Sequence, residues 1–144
     1  MKSFRLIRYW LPVGLWMAAI FIASTDLFSG EHTHSVLGAV MDFFIPGLSP
    51  EAVAFLNTVL RKLGHLTEYF ILGWLLFRAF RADSPAGWRP GWAVWTFAIA
   101  VLYAAGDEWH QGFVATRTAS ALDVGIDSIG AALAVLVRRV RGTR

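Results

Sequence analysis

Cysteine is absent from the chain. No disulfide framework can form, and no thiolate can hold a metal. Charge is scarce as well: Asp, Glu, Lys and Arg fill 16% of 144 positions, whereas soluble domains carry ~25%. No basic face is interleaved with aromatics, so the net charge of +3 and the pI of 9.8 do not imply a nucleic-acid partner. The His-Glu-x-x-His spacing of a zinc-protease helix is also missing. What fills the sequence instead is apolar. Hydrophobic residues make up 56%, with seven Trp and eleven Phe, and mean hydropathy is +0.53. That composition suits one compact domain facing lipid.

The basic residues stand at the ends of apolar runs. Met1–Arg8 is basic and precedes the first run, as a signal peptide would. No small-x-small cleavage site leads into a soluble domain, and further long apolar runs follow, so a first membrane span over 9–24 is expected. It is short for a ~30 Å hydrocarbon core, but Phe4–Ile7 can extend it by snorkelling. Pro12 falls in its first turns, where it does least damage. Val36–Ile45 is apolar but too short to span, and predicts an interfacial or re-entrant segment. Ser49-Pro50-Glu51 reads as a helix start, with a hydroxyl cap, proline at the first helical position and an acid in the first turn. Ala52, Val53, Leu56, Val59, Leu60 and Leu63 then recur at helical spacing, which predicts a surface helix turning inward near Gly64. Further spans are expected over 63–80, 91–109 and 120–137. Ser120-Ala121-Leu122-Asp123 resembles a capping box, with Asp in place of Glu. The expectation is an all-α integral membrane four-helix bundle with an extra interfacial helix in the first extracytoplasmic loop.

Lys2, Arg5 and Arg8 precede the first span; Arg78, Arg81 and Arg89 occupy the middle connection; Arg138, Arg139, Arg141 and Arg144 finish the chain. By the positive-inside rule both termini are cytoplasmic. The polar residues inside the spans then gather at the outer side: His65 and Glu68 open span two, Asp107, Glu108 and Gln111 close span three, and Asp123 and Asp127 open span four. An acid near the bilayer centre costs about 2.5–3.5 kcal/mol on insertion scales, so something must face these carboxylates. His65 and Tyr69 are four residues apart, as are Asp107 and Gln111, and Asp123 and Asp127, so each helix presents one polar stripe. Gly130 continues the last stripe and allows close helix approach. Simpler explanations exist for some of these groups. Asp26, Glu51 and His110 suit interface anchoring, as do most of the Trp residues, and Tyr69 and Tyr103 suit packing. Lys62, His65 and Arg117 could merely neutralise the acids and glue the bundle together.

Three motifs carry a family resemblance. Arg61-Lys62-Leu63-Gly64-His65-Leu66-Thr67-Glu68-Tyr69-Phe70-Ile71-Leu72-Gly73 is similar to the Lys-x-x-His-x-x-x-Tyr-x-x-Leu-Gly signature of the VanZ-like family. Gly106-Asp107-Glu108-Trp109-His110-Gln111 resembles its Asp-Glu-x-x-Gln motif. Thr116–Asp123 resembles its Arg-x-x-Ser-x-x-Asp motif, and Asp127 to Gly130 continues it. The pair Ser24-Thr25 matches a weaker family feature. Asp127 departs from the pattern, standing where Asn is common, and Gly112–Thr116 lacks the usual Pro-Gly. The resemblance implies a small multi-pass protein of the bacterial cytoplasmic membrane, in a family named for low-level teicoplanin resistance. It implies a fold and a compartment, not a reaction.

Three functions fit the pattern. In the first, the basin binds an anionic lipid or a lipid-linked envelope precursor. Lys62, His65 and Arg117 would meet its phosphate, while Asp107, Glu108, Asp123 and Gln111 would orient sugars or hydroxyls, with Tyr69, Ser120 and Asp127 as further ligand-binding candidates. In the second, the protein is a membrane hydrolase or transferase, with His65 as general base, Glu108 as general acid and Asp107 as a further catalytic candidate. No cofactor is required, though Asp107, Glu108, Asp123 and His65 offer donors for a divalent metal. In the third, the bundle is a scaffold for another membrane protein. Transport is disfavoured, because the inner halves of the spans offer no polar path.

Overall fold

A computed structural model describes residues 2–25, 43, 45, 47–114 and 119–142, with the backbone alone for residues 2–4. Among the described residues the bounded helices are α1 Lys2–Ala23, α2 Pro50–Arg81, α3 Pro90–Gln111 and α4 Ala121–Gly142. No strand occurs among the described residues.

Local chemistry explains where α2 and α3 begin. The Ser49 hydroxyl accepts from the Ala52 N–H at 3.3 Å, Pro50 follows, and Glu51 sits in the first turn. Fully exposed Glu51 has its carboxyl below the usual range, through hydrogen bonding to its own backbone and to Ser49. Pro90 likewise opens α3, after an extended Arg89. The expected break near Gly64 does not occur. The surface helix and span two are one helix of 32 residues, about 48 Å long at ~1.5 Å per residue. Gly64 carries no positive φ, and no competing cap interrupts the ladder. The extra interfacial helix expected at 50–63 is therefore the first part of α2. Most of Val36–Ile45 lies outside the described residues. α1 begins earlier than expected, at Lys2, which puts Pro12 in its interior. The Arg8 carbonyl thereby loses its i+4 donor, yet the helix runs through.

α2 packs against each of the other three helices, and its interface with α4 is the most extensive. Two glycines explain that closeness. A Cβ on Gly130 would lie 2.4 Å from the Leu66 carbonyl oxygen, and one on Gly73 would lie 3.1 Å from the Ala131 Cα. Bare backbone on both sides lets the axes approach. α1 is fastened by side-chain donors. Trp16 donates its indole N–H to the Glu68 carbonyl at 2.9 Å, and the Tyr103 hydroxyl donates to the Met17 carbonyl at 2.6 Å. Trp16 and Tyr103 are thus clamps between helices, a stronger role than the anchoring and packing the sequence suggested. At the far end, Arg5 and Tyr9 both donate to Asp83, and Arg138 stacks over Trp74 with 3.6 Å to the ring centroid.

An apolar core through Ile20, Tyr69, Leu72, Leu76 and Phe77 is joined by buried polar side chains, while many large apolar residues stay outside. Leu102 and Trp109 are 72% and 73% exposed, and Leu11, Leu15, Leu122, Ile129 and Leu136 are exposed too. The buried set includes Ser24, His65, Thr96, Asp107, Glu108, Gln111, Asp123 and Asp127. By length and composition, one helix among the described residues is apolar enough to cross a membrane: α1, across Arg5–Ala23. The other three miss that measure, although four spans were expected. Their sequences include the acids, His and Gln that the fold turns inward, so their mean hydropathy understates the apolarity of their outer faces.

Candidate functional site

α2 contributes Lys62, His65 and Tyr69; α3 contributes Asp107, Glu108 and Gln111; α4 contributes Asp123 and Asp127. His65 and Tyr69, one turn apart, are both buried on the inward stripe that continues to Leu72 and Leu76. Asp107 and Gln111 share the inward face of the last turn of α3, and Asp123 and Asp127 that of the first turns of α4. The acids converge, but on different partners.

Asp107 faces α1. The Ser24 hydroxyl donates to its Oδ2 at 2.7 Å, and the Gln111 amide donates to the same oxygen at 3.0 Å. Gln111 also reaches Ser24 Oγ at 3.4 Å. Ser24 was not among the sequence candidates; the weak Ser24-Thr25 resemblance was the signal that could have found it. Beside this group lies a cavity of about 180 Å³, lined by Phe21, Leu102, Tyr103, Gly106, Asp107 and His110. Asp107 supplies an acid to a mostly apolar cleft.

Glu108, the adjacent acid, points elsewhere. Its Oε2 accepts the Ser120 backbone N–H at 2.7 Å. Ser120 precedes α4, so this N–H is an orphan donor at a helix start. In a capping box the acid three residues on would satisfy it. Here Glu108 does so across the helix interface, and the buried Asp123 is turned toward α2. Lys62 donates to Asp123 Oδ1 at 3.0 Å, and an Arg61 nitrogen stands 3.9 Å from Oδ2. Lys62 is about one-third exposed, and Asp123 is its one hydrogen-bond partner among the described residues.

Innermost is Asp127, fully buried, with Oδ1 3.1 Å from His65 Nδ1. An acid held on a histidine ring nitrogen fixes the orientation of the ring. Ligand-type atoms of His65, Glu108 and Asp127 all lie within 4.8 Å of one another. The metal donors suggested by the sequence were Asp107, Glu108, Asp123 and His65. The fold keeps His65 and Glu108 together, brings Asp127 to them, and gives Asp107 and Asp123 to Ser24 and Lys62. Among the described residues, four buried side-chain oxygens here have no hydrogen-bond partner: Tyr69 Oη, Asp107 Oδ1, Glu108 Oε1 and Asp127 Oδ2. Arg117 lies outside the described residues, as do Asp26 and Thr116.

Between them, then, Lys62, His65, Asp107, Glu108, Gln111, Asp123 and Asp127 occupy one end of the bundle in three linked groups. The sequence matches the family model described as VanZ/LLP1 over residues 9–141. No curated protein and no solved structure matches the chain.

Proposed function

The chain belongs to the VanZ/LLP1 family, and from that premise we propose that all four helices lie in a membrane and that their polar end binds the headgroup of an envelope lipid or lipid-linked precursor. One observation carries this reading: carboxylate oxygens without donors are buried inside a bundle whose outer face is Leu, Ile, Val, Phe and Trp. In water so much exposed apolar surface would be poorly solvated. In lipid the apolar face is solvated, and the buried oxygens await a ligand that brings its own donors. Sugar or glycerol hydroxyls meet that need at Asp107. Lys62, and Arg117 beyond the described residues, supply positive charge for a phosphate. Acyl chains would follow the apolar cleft between Phe21, Leu102 and Tyr103. With the basic ends of α1 and α4 on the cytoplasmic side, the site opens to the outer leaflet of the bacterial cytoplasmic membrane.

The test is mass spectrometry of lipids that co-purify with the detergent-solubilised protein. Enrichment of an anionic or glycosylated lipid over the bulk membrane is expected, falling at least fivefold in a Lys62→Met, Asp107→Asn double variant that remains monodisperse. Co-purified lipid of bulk composition in both proteins would end the proposal. A second reading draws on the His65–Asp127 pair: a histidine held by an acid, with the free Glu108 oxygen nearby, has the makings of a general base and acid for a hydrolase or transferase.

A further inference from the structure

Three ionisable side chains from three different helices meet in the interior: His65 of α2, Glu108 of α3 and Asp127 of α4. Each acid is half used. Glu108 spends Oε2 on the Ser120 N–H, and Asp127 spends Oδ1 on His65. The other oxygen of each, Glu108 Oε1 and Asp127 Oδ2, is buried without a partner among the described residues. The two residues are 5% and 0% exposed. Two acceptors left bare in a low-dielectric interior carry an uncompensated desolvation penalty. The neighbouring described cations do not relieve it, since Lys62 is held by Asp123 and Arg61 lies beside that same acid.

We infer that His65, Glu108 and Asp127 form the seat of a divalent transition cation, of the Mn²⁺ or Zn²⁺ class. One imidazole and two carboxylates are an N/O donor set with no sulfur, suited to those ions. Two acids and a neutral imidazole balance a double positive charge. Bonds of ~2.0–2.2 Å place neighbouring donors of a tetrahedral site ~3.3–3.6 Å apart. The present 4.8 Å envelope is wider, so metal binding requires the three side chains to draw together. Ser120 pins Glu108 from behind, the kind of outer contact that orients a ligand. Three protein donors leave a coordination position open.

That open position explains how an acid-lined site receives a phosphate: the cation bridges the carboxylates to the anion. The bridging role rests on the headgroup reading above; the cation site does not. The test uses the full chain in detergent, stripped with EDTA, reloaded with Mn²⁺ or Zn²⁺, and gel-filtered. Wild type should retain about one equivalent, and pulsed EPR of bound Mn²⁺ should show coupling to an imidazole nitrogen. Glu108→Gln and Asp127→Asn should each weaken affinity at least tenfold, while Asp83→Asn, at the opposite end, should leave it unchanged. Failure of wild type to retain either ion, or bound Mn²⁺ lacking nitrogen coupling, overturns the site whether or not the variants fold. Binding of short-chain phosphatidylglycerol with and without Mn²⁺ separates the two readings. Metal retained without lipid would sink the headgroup reading and leave the cation site standing. Lipid bound equally after EDTA would overturn the bridging role and leave the headgroup reading standing. Lipid bound only with metal supports both.

Discussion

Removing Lys62 should damage the protein more than neutralising its partner. The Asp123 side chain is 3% exposed and that of Lys62 is 32%, with 3.0 Å between Nζ and Oδ1. Deleting one member of a fully buried pair costs about 3–5 kcal/mol, because the other charge is stranded. Lys62 reaches solvent, and Arg61 waits 3.9 Å from the second oxygen, so about half of that, ~2 kcal/mol, is expected for Lys62→Met. Asp123→Asn strands nothing. The lysine, one-third exposed, turns to solvent and one buried hydrogen bond is lost, so the cost is about 1 kcal/mol. In the double variant no charge is left buried. It should lose ~1 kcal/mol and be more stable than Lys62→Met alone. Equilibrium unfolding in mixed detergent micelles, followed by tryptophan fluorescence, measures all three. A double variant as unstable as the sum of the singles, or Lys62→Met indistinguishable from wild type, would refute the reasoning.

Gly130→Ala places its Cβ 2.4 Å from the Leu66 carbonyl oxygen; backbone cannot yield cheaply, and about 2–3 kcal/mol should be lost despite the gain in helix propensity. Gly125→Ala, also in α4 but with nothing within 4 Å of the new Cβ, should gain ~0.5–1 kcal/mol in the same unfolding assay; equal effects at both positions would contradict the close α2–α4 contact. At the other end of the bundle, the Tyr9 hydroxyl and then Arg5 hold the Asp83 carboxyl below its ordinary value. Its folded value being depressed, its contribution is complete above about pH 4, the unfolded range, and drains away as the pH falls through the folded value. Thermal melts from pH 5 to pH 2 should show Asp83→Asn converging on wild type at the acid end; a constant gap would exclude the linkage.

Much of the site was legible because a helix is a local object. The four-residue spacing of His65 and Tyr69, of Asp107 and Gln111, and of Asp123 and Asp127 puts each pair on one face whatever the helix packs against. All of these residues are buried in the structure. Ser49-Pro50-Glu51 marked the start of α2 for the same reason, since capping is decided within one turn. Gly64 misled because a glycine inside an apolar run signals a bend only if something exploits it, and nothing packs against it.

Partner choice is different in kind. Asp107 and Glu108 are adjacent in the sequence, yet one meets Ser24 of the α1 end and the other the N–H of Ser120. Successive residues on a helix point ~100° apart, so neighbours in sequence face different neighbours in space. Asp123 suits its own helix cap and goes to Lys62 instead. By itself, then, the sequence settled the family, the helical class, the apolar exterior and the polar stripe of each helix, all properties of composition or of a few turns. The bare-backbone contacts of Gly73 and Gly130 set how α2 and α4 lie against one another. Only that long-range packing decided which acids share a pocket, because it fixes how far each stripe is turned and how deep it sits.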